Sequence, residues 1–273
     1  MDTFLAWIRL ALPTEVFANL LTENLAMIEL IFDQLKSEDE DNLNIAVKCV
    51  VELMTVSRVA KNNFGDFSNL VMNKVQTLND HVQQVIQSGD FETADQFTEI
   101  FIELAFSNMQ QIIEQGSPLI YILIALLEMN ESDCHAQLPF WKDLFRRISR
   151  IEDKAQRMAK FQTFEHVVIK LVNLIIKRAK MEDSMFVDFN KVPSSSSEFE
   201  ELYAVREDLA SLLKSLCKSC GPMTIYQLLG QHLSSAVASL QQVTTDPDSN
   251  ISIYLEIECL LFCTTQQARC IDA

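Results

Sequence analysis

Between Phe199 and Pro222 the apolar residues Leu202, Val205, Leu209, Leu212, Leu213, Leu216, Cys217 and Cys220 recur at three- and four-residue steps. That spacing predicts one long amphipathic helix with its apolar side chains on a single stripe. Ser197 is placed to cap the start, accepting from free backbone N–H groups. Gly221 supplies a left-handed turn at the end and Pro222 blocks further extension. A stripe this wide needs partners on both sides, so the helix is expected to be sandwiched between neighbours.

The same period runs along the chain. Thr22 to Lys36 and Leu43 to Arg58 predict a first helical pair across the charged loop Ser37 to Asn42. Asp66 to Ser88 and Asp90 to Gln115 read as two long helices separated by Gly89 alone, a break so short that it forces a hairpin. Pro118 to Asn130 and His135 to Arg150 predict a third pair, with Pro139 either starting the main part of its helix or kinking it. Glu152 to Met181 pairs with the helix from Phe199, and residues 183–197, which contain the run VPSSSS, are expected as a flexible surface loop. Met223 to Val243 and Ile251 to Arg269 form a last pair across the polar turn Thr244 to Asn250. Asp2 to Leu12 is a short, strongly apolar helix.

The fold class predicted is therefore all-α. Residues 1–273 are expected to form a single α-solenoid segment, an α-α superhelix of HEAT- or armadillo-like antiparallel helix pairs. It comprises about five pairs plus a partial N-terminal helix. Because both ends are apolar, where terminal repeats usually present a polar outer face, the chain is expected to be a slice of a longer solenoid.

Composition narrows the function classes. Five glycines and six prolines leave little material for the turns of an all-β fold, and 48% hydrophobic residues exclude a disordered chain. The richest apolar run, Pro118 to Leu127, is about half the length of a membrane span. Asp2 precedes the N-terminal apolar stretch, with no basic leader, so an intracellular protein is expected. With 22 Lys plus Arg against 38 Asp plus Glu, the net charge is −16. That field disfavours direct contact with nucleic acid or an anionic membrane and favours basic partners.

Candidate chemistry is sparse. Cys217-Lys218-Ser219-Cys220 has the gap of a zinc knuckle, with His232, Cys259 and Cys263 downstream. Both members fall on a helical apolar stripe, where free cysteine acts as a small hydrophobe, so packing rather than a metal site is expected. His81, His135, His166 and His232 are scattered, and no phosphate-binding glycine loop exists, so neither an enzyme nor a cofactor is expected. The candidate protein-binding residues are acidic: Glu38, Asp39, Glu40 and Asp41 on the first inter-helix loop, and Glu198, Glu200 and Glu201 near the long helix. Each set also has a plain reading as a solvated loop or helix cap. Glu207 and Asp208 extend the second cluster, with contacts to Arg206 expected. Arg146, Arg147, Arg150, Lys154, Arg157 and Lys160 form the main basic concentration. Phe140 and Trp141, at helical spacing with Leu144 and Phe145, read as core before docking anchors.

Several stretches resemble one family. Phe140-Trp141-Lys142-Asp143-Leu144-Phe145 is similar to an FW-x-x-L helix of the karyopherin-β (importin-β superfamily) nuclear transport receptors, in the transportin-SR and importin-thirteen branch. Phe199 to Gly221 resembles the family's next helix, Glu165 to Met181 the helix before its acidic linker, and Trp7 in FLAWIRLALP an SW-x-x-LG helix. The resemblance covers nearly the whole chain and places it in a middle portion of such a receptor. It implies a nuclear transport receptor segment that binds protein cargo for import, shuttles between cytoplasm and nucleus, and contacts nucleoporins. The small GTPase Ran is implied for the full-length family, while the N-terminal repeats that grip it are expected to be absent here. The alternative is a non-transport α-solenoid scaffold or adaptor, truncated relative to its family.

Overall fold

Helices are the only regular elements among the described residues of the computed structural model, which are 25–37, 39–60, 65–129, 136–180, 197–242 and 247–271. The first seven are α1 (Leu25–Gln34), α2 (Glu40–Ala60), α3 (Gly65–Gln76), α4 (Asn79–Ser88), α5 (Phe91–Ser107), α6 (Met109–Gln115) and α7 (Leu119–Met129). They are followed by α8 (Leu138–Ser149), α9 (Lys154–Thr163), α10 (Glu165–Ala179), α11 (Ser197–Cys220), α12 (Pro222–Gln242) and α13 (Pro247–Ile271). Within each unit neighbouring helices pack as pairs, as the helices of an all-α solenoid do. The chain divides into two compact units, Met1–Gln137 and Leu138–Ala273. The division falls within the expected third hairpin, between α7 and α8.

In the first unit α5 is central: it packs against α2, α3, α4 and α7. Its buried residues Ala94, Phe97, Thr98, Ile100, Phe101, Ile102, Leu104 and Ala105 cover most of its circumference, as a helix enclosed by neighbours requires. The hairpin into it follows expectation. Gly89 takes the left-handed conformation at φ 73°, which only glycine adopts without strain, and Asp90 Oδ1 accepts from Thr93 N at 3.1 Å to cap α5.

In the second unit α11 is central, against α8, α9, α10, α12 and α13. Leu209, Leu212, Leu213, Leu216, Cys217 and Cys220 of its expected stripe are buried, and Leu202 and Val205 are half-buried. Gly221, at φ 86°, ends the helix and Pro222 begins the next. Phe140 and Trp141 are fully buried, their rings edge-to-face at 5.0 Å, so they are core as the spacing indicated. Pro139 occupies the second position of α8, where its missing N–H costs no helical bond.

Three expected long helices are broken. Asp66 to Ser88 divides at Thr77–Leu78, Asp90 to Gln115 at Asn108, and Glu152 to Met181 at Phe164. Asn108 (φ −107°, ψ 13°) turns its own Nδ2 back to Leu104 O at 2.8 Å, a local bond that competes with helix continuation. Thr77 Oγ1 does the same with Lys74 O at 2.7 Å. Phe164 leaves the helical region at φ −104°, ψ 9° while its ring stays buried. The last expected turn is also shorter than read, since α13 already starts at Pro247. The loop expected over 183–197 loses Ser197 to α11, and residues 183–196 lie outside the described residues, as does the expected helix Asp2 to Leu12 with Trp7.

Candidate functional site

The first acidic stretch sits where α1 hands over to α2. Asp39 is the local cap: its Oδ1 accepts from Asn42 N at 3.0 Å, its carbonyl accepts from Leu43 N at 2.9 Å, and its own N–H donates to Ser37 Oγ at 3.2 Å. Glu40 and Asp41 occupy the first turn of α2, where the positive end of the helix dipole favours negative charge. Asp39, Glu40 and Asp41 are exposed, and Glu38 lies outside the described residues.

Glu40 also faces a cleft of about 470 Å³, of which the sequence had pointed to Glu40 but not to its other walls. Its apolar floor is Leu35, Leu43 and Val85; its rim carries Glu40, Asp90 and Glu92, with Lys36 the one cation among the described lining residues. The α4–α5 hairpin is what delivers Asp90 and Glu92 beside Glu40, because Gly89 reverses the chain within a single residue. Gln96 lines the same cleft, and its Oε1 is buried with no hydrogen-bond partner among the described residues. His81 closes one side, its ring edge-to-face with Phe97 at 5.5 Å. Burial lowers the His81 pKa and Lys36 lowers it further, against a backbone hydrogen bond at Leu35 that raises it, so the imidazole is held neutral at physiological pH. An apolar floor under an acidic rim suits a Lys or Arg side chain, whose methylene stem packs below while its charged head meets the carboxylates.

The second acidic set is described only in part. Glu200 is exposed, and the side chains of Glu198 and Glu201 lie outside the described residues. Asp208 pairs with Lys142 of α8 at 2.7 Å rather than with Arg206. Arg206 instead turns inward. Its Nε donates to Ala179 O at 2.8 Å, Nη1 donates to Glu258 Oε1 at 2.9 Å and Nη2 to Glu258 Oε2 at 2.5 Å. The guanidinium also lies 5.0 Å from the centre of the Phe262 ring. Burial alone would lower its pKa, but the fork of bonds to Glu258 and that carboxylate's charge outweigh it and raise the value. This is a bidentate structural clamp joining α10, α11 and α13. Its partner was illegible because Glu258 lies 52 residues away in sequence.

The described cysteines pack in the core, whereas His166 is exposed. Cys217, Cys220, Cys259 and Cys263 are buried and in no disulfide. Cys220 Sγ donates to Leu216 O at 2.8 Å, and burial pushes its pKa up to about 12. Cys259 Sγ donates to Ile176 O at 3.2 Å, and its pKa is pushed up by its hydrogen bond with Cys263 and by burial. His232 Nε2 lies 2.9 Å from Asn173 Oδ1. Among the described residues no three His, Cys, Asp or Glu side chains are grouped to hold a metal ion, and no single helix is long and apolar enough to cross a membrane. His135 lies outside them.

No family model matches the chain. Among curated proteins it is similar to importin-13 of Gallus gallus, 24% identical over 286 aligned positions that take in all of this chain and 27% of the relative. It is also similar to importin-13 of Bos taurus, 23% identical over the same span. The chain thus spans about a quarter of the length of the curated relatives it matches. The likeness to importin-13 runs over the whole of an all-helical chain.

Proposed function

We propose, for a chain related over its whole length to the importin-β family, that it is a nuclear transport receptor segment whose first unit takes basic protein cargo at the Glu40–Asp90–Glu92 cleft. The observation that carries this reading is the likeness to importin-13 over all of the chain. The acidic rim supports it, and so does the net charge of −16, which draws basic segments and repels polyanions. Import of that cargo into the nucleus, shuttling between cytoplasm and nucleus, and contacts of the whole receptor with Ran and nucleoporins belong to the same proposal. So does a non-catalytic role.

The test is fluorescence anisotropy of a labelled Lys- and Arg-rich peptide titrated with the full chain. Saturable binding is expected, weakening as salt rises and by about tenfold in Glu40→Gln/Glu92→Gln. Asp90 is left intact because it caps α5. No binding, or equal binding to the double variant, overturns the assignment and moves a scaffold role ahead of cargo recognition.

A further inference from the structure

The cleft in the first unit looks for positive charge, yet the second unit carries the opposite feature. Between Lys142 and Lys160 seven basic residues stand against three acidic ones, in a chain where acidic residues outnumber basic ones 38 to 22. Four of the chain's nine arginines lie within residues 146–157. They are not spread around two helices at random. Arg146 and Arg150 are one turn apart at the end of α8, and Arg157 of α9 reaches back to donate from Nη1 to Ile151 O at 2.9 Å, which brings it to that same turn.

The surface is also held in shape. α8 is anchored by buried Phe140, Trp141, Leu144, Phe145 and Ile148, so its exposed face is presented by a rigid element. Arg146 Nη2 at 2.5 Å and Arg147 Nε at 2.8 Å both donate to Asp143, fixing two guanidiniums around one carboxylate and leaving net positive charge there. Burial alone would raise the Asp143 pKa, but the hydrogen bonds from Arg147 and Arg146 outweigh it and keep the carboxyl below its ordinary range, hence ionised. Arg150 and Lys154 are exposed, and neither side-chain cation has a partner among the described residues. Met158, 40% exposed, stands one turn beyond Lys154 and adds an apolar contact point. Arginine and methionine are the residues enriched at protein interfaces, where lysine is depleted.

We propose that the α8–α9 surface around Arg147, Arg150, Lys154 and Met158 docks an acidic segment of a partner protein. A polyanionic nucleic acid is the weaker fit, because beyond the patch it meets the field of a chain with net charge −16. A short carboxylate-bearing segment reads only the local field, since screening over about 8 Å at physiological salt hides the distant acidic surface. The site is separate from the cleft and does not depend on the assignment of basic cargo.

The experiment titrates the full chain into a short fluorescein-labelled peptide of Asp and Glu with one central Leu, and in parallel into a single-stranded oligonucleotide of equal charge. The account expects saturable peptide binding that Arg147→Glu/Arg150→Glu weakens by at least about tenfold, that Arg150→Lys largely retains, and that Met158→Ser weakens several-fold. Glu40→Gln/Glu92→Gln leaves it unchanged, which separates its outcome from that of the cleft. Both reversed arginines are at the exposed end of α8, and unaltered helical circular dichroism and thermal unfolding of the variant establish that the loss is one of binding. No peptide binding, equal binding by the charge-reversed chain, or tighter binding of the oligonucleotide overturns the proposal.

Discussion

The two central helices, α5 and α11, solve the same packing problem differently. α5 has only Thr98 as a buried polar residue, and Thr98 Oγ1 donates to Ala94 O within its own helix at 3.0 Å. Its buried face is thus almost wholly apolar. α11 carries directional ties to other helices or their ends: Arg206 to Ala179 O and to Glu258, Ser219 Oγ donating to Phe145 O at 2.6 Å, and, nearer the surface, Asp208 to Lys142. Apolar contacts are non-directional, so they set how much is buried, while buried polar bonds fix register. The buried polar side chains of α11 reach other helices, whereas the buried hydroxyl of α5 bonds within its own.

Variants can break that contrast in order of expected size. Phe97→Ala empties a fully buried site in α5 and removes the ring against His81; it should cost about 3–5 kcal/mol, read by urea unfolding followed by circular dichroism. Arg206→Ala leaves Ala179 O and Glu258 without their donor. Glu258 is 43% exposed and can be rehydrated, so the cost should fall to about 2–3 kcal/mol. Arg206→Met sharpens the point, because an apolar side chain of similar volume should cost less than the alanine if packing carries the balance. Ser219→Ala should cost about 1 kcal/mol, since Phe145 O loses only this side-chain donor.

The smallest effect is a pH dependence confined to unit one. His81 binds its proton more weakly folded than unfolded, so its contribution is fully present above the unfolded value of about 6.5 and is lost as pH falls through that value toward the lower folded one. Unfolding curves at neutral and mildly acidic pH should therefore show less stability in acid. His81→Gln should reduce that difference by the share His81 contributes.

Sequence pattern exposed the helices because a three-to-four-residue period survives in every one of them, and it exposed Gly89 and Gly221 because a left-handed turn needs glycine. It missed the breaks at Leu78, Asn108 and Phe164, since none carries Gly or Pro and the apolar period runs on through each. Asn108 and Thr77 end helices through side-chain bonds to the preceding turn, a choice that their residue types permit but do not dictate. The cleft was half legible. Asp39, Glu40 and Asp41 stand out as an acidic run, whereas Asp90 reads only as a cap and joins Glu40 through tertiary packing. Arg206 was visible as a charge on a helix, but its address at Glu258 was set by a helix that arrives 52 residues later.

The most direct test of the account is hydrogen–deuterium exchange on the full chain with and without a saturating Lys- and Arg-rich peptide. Basic cargo seated in the acidic cleft predicts added protection over residues 36–43 and 81–96, with α11 to α13 unchanged. Protection centred on the second unit, or no change anywhere, would contradict it.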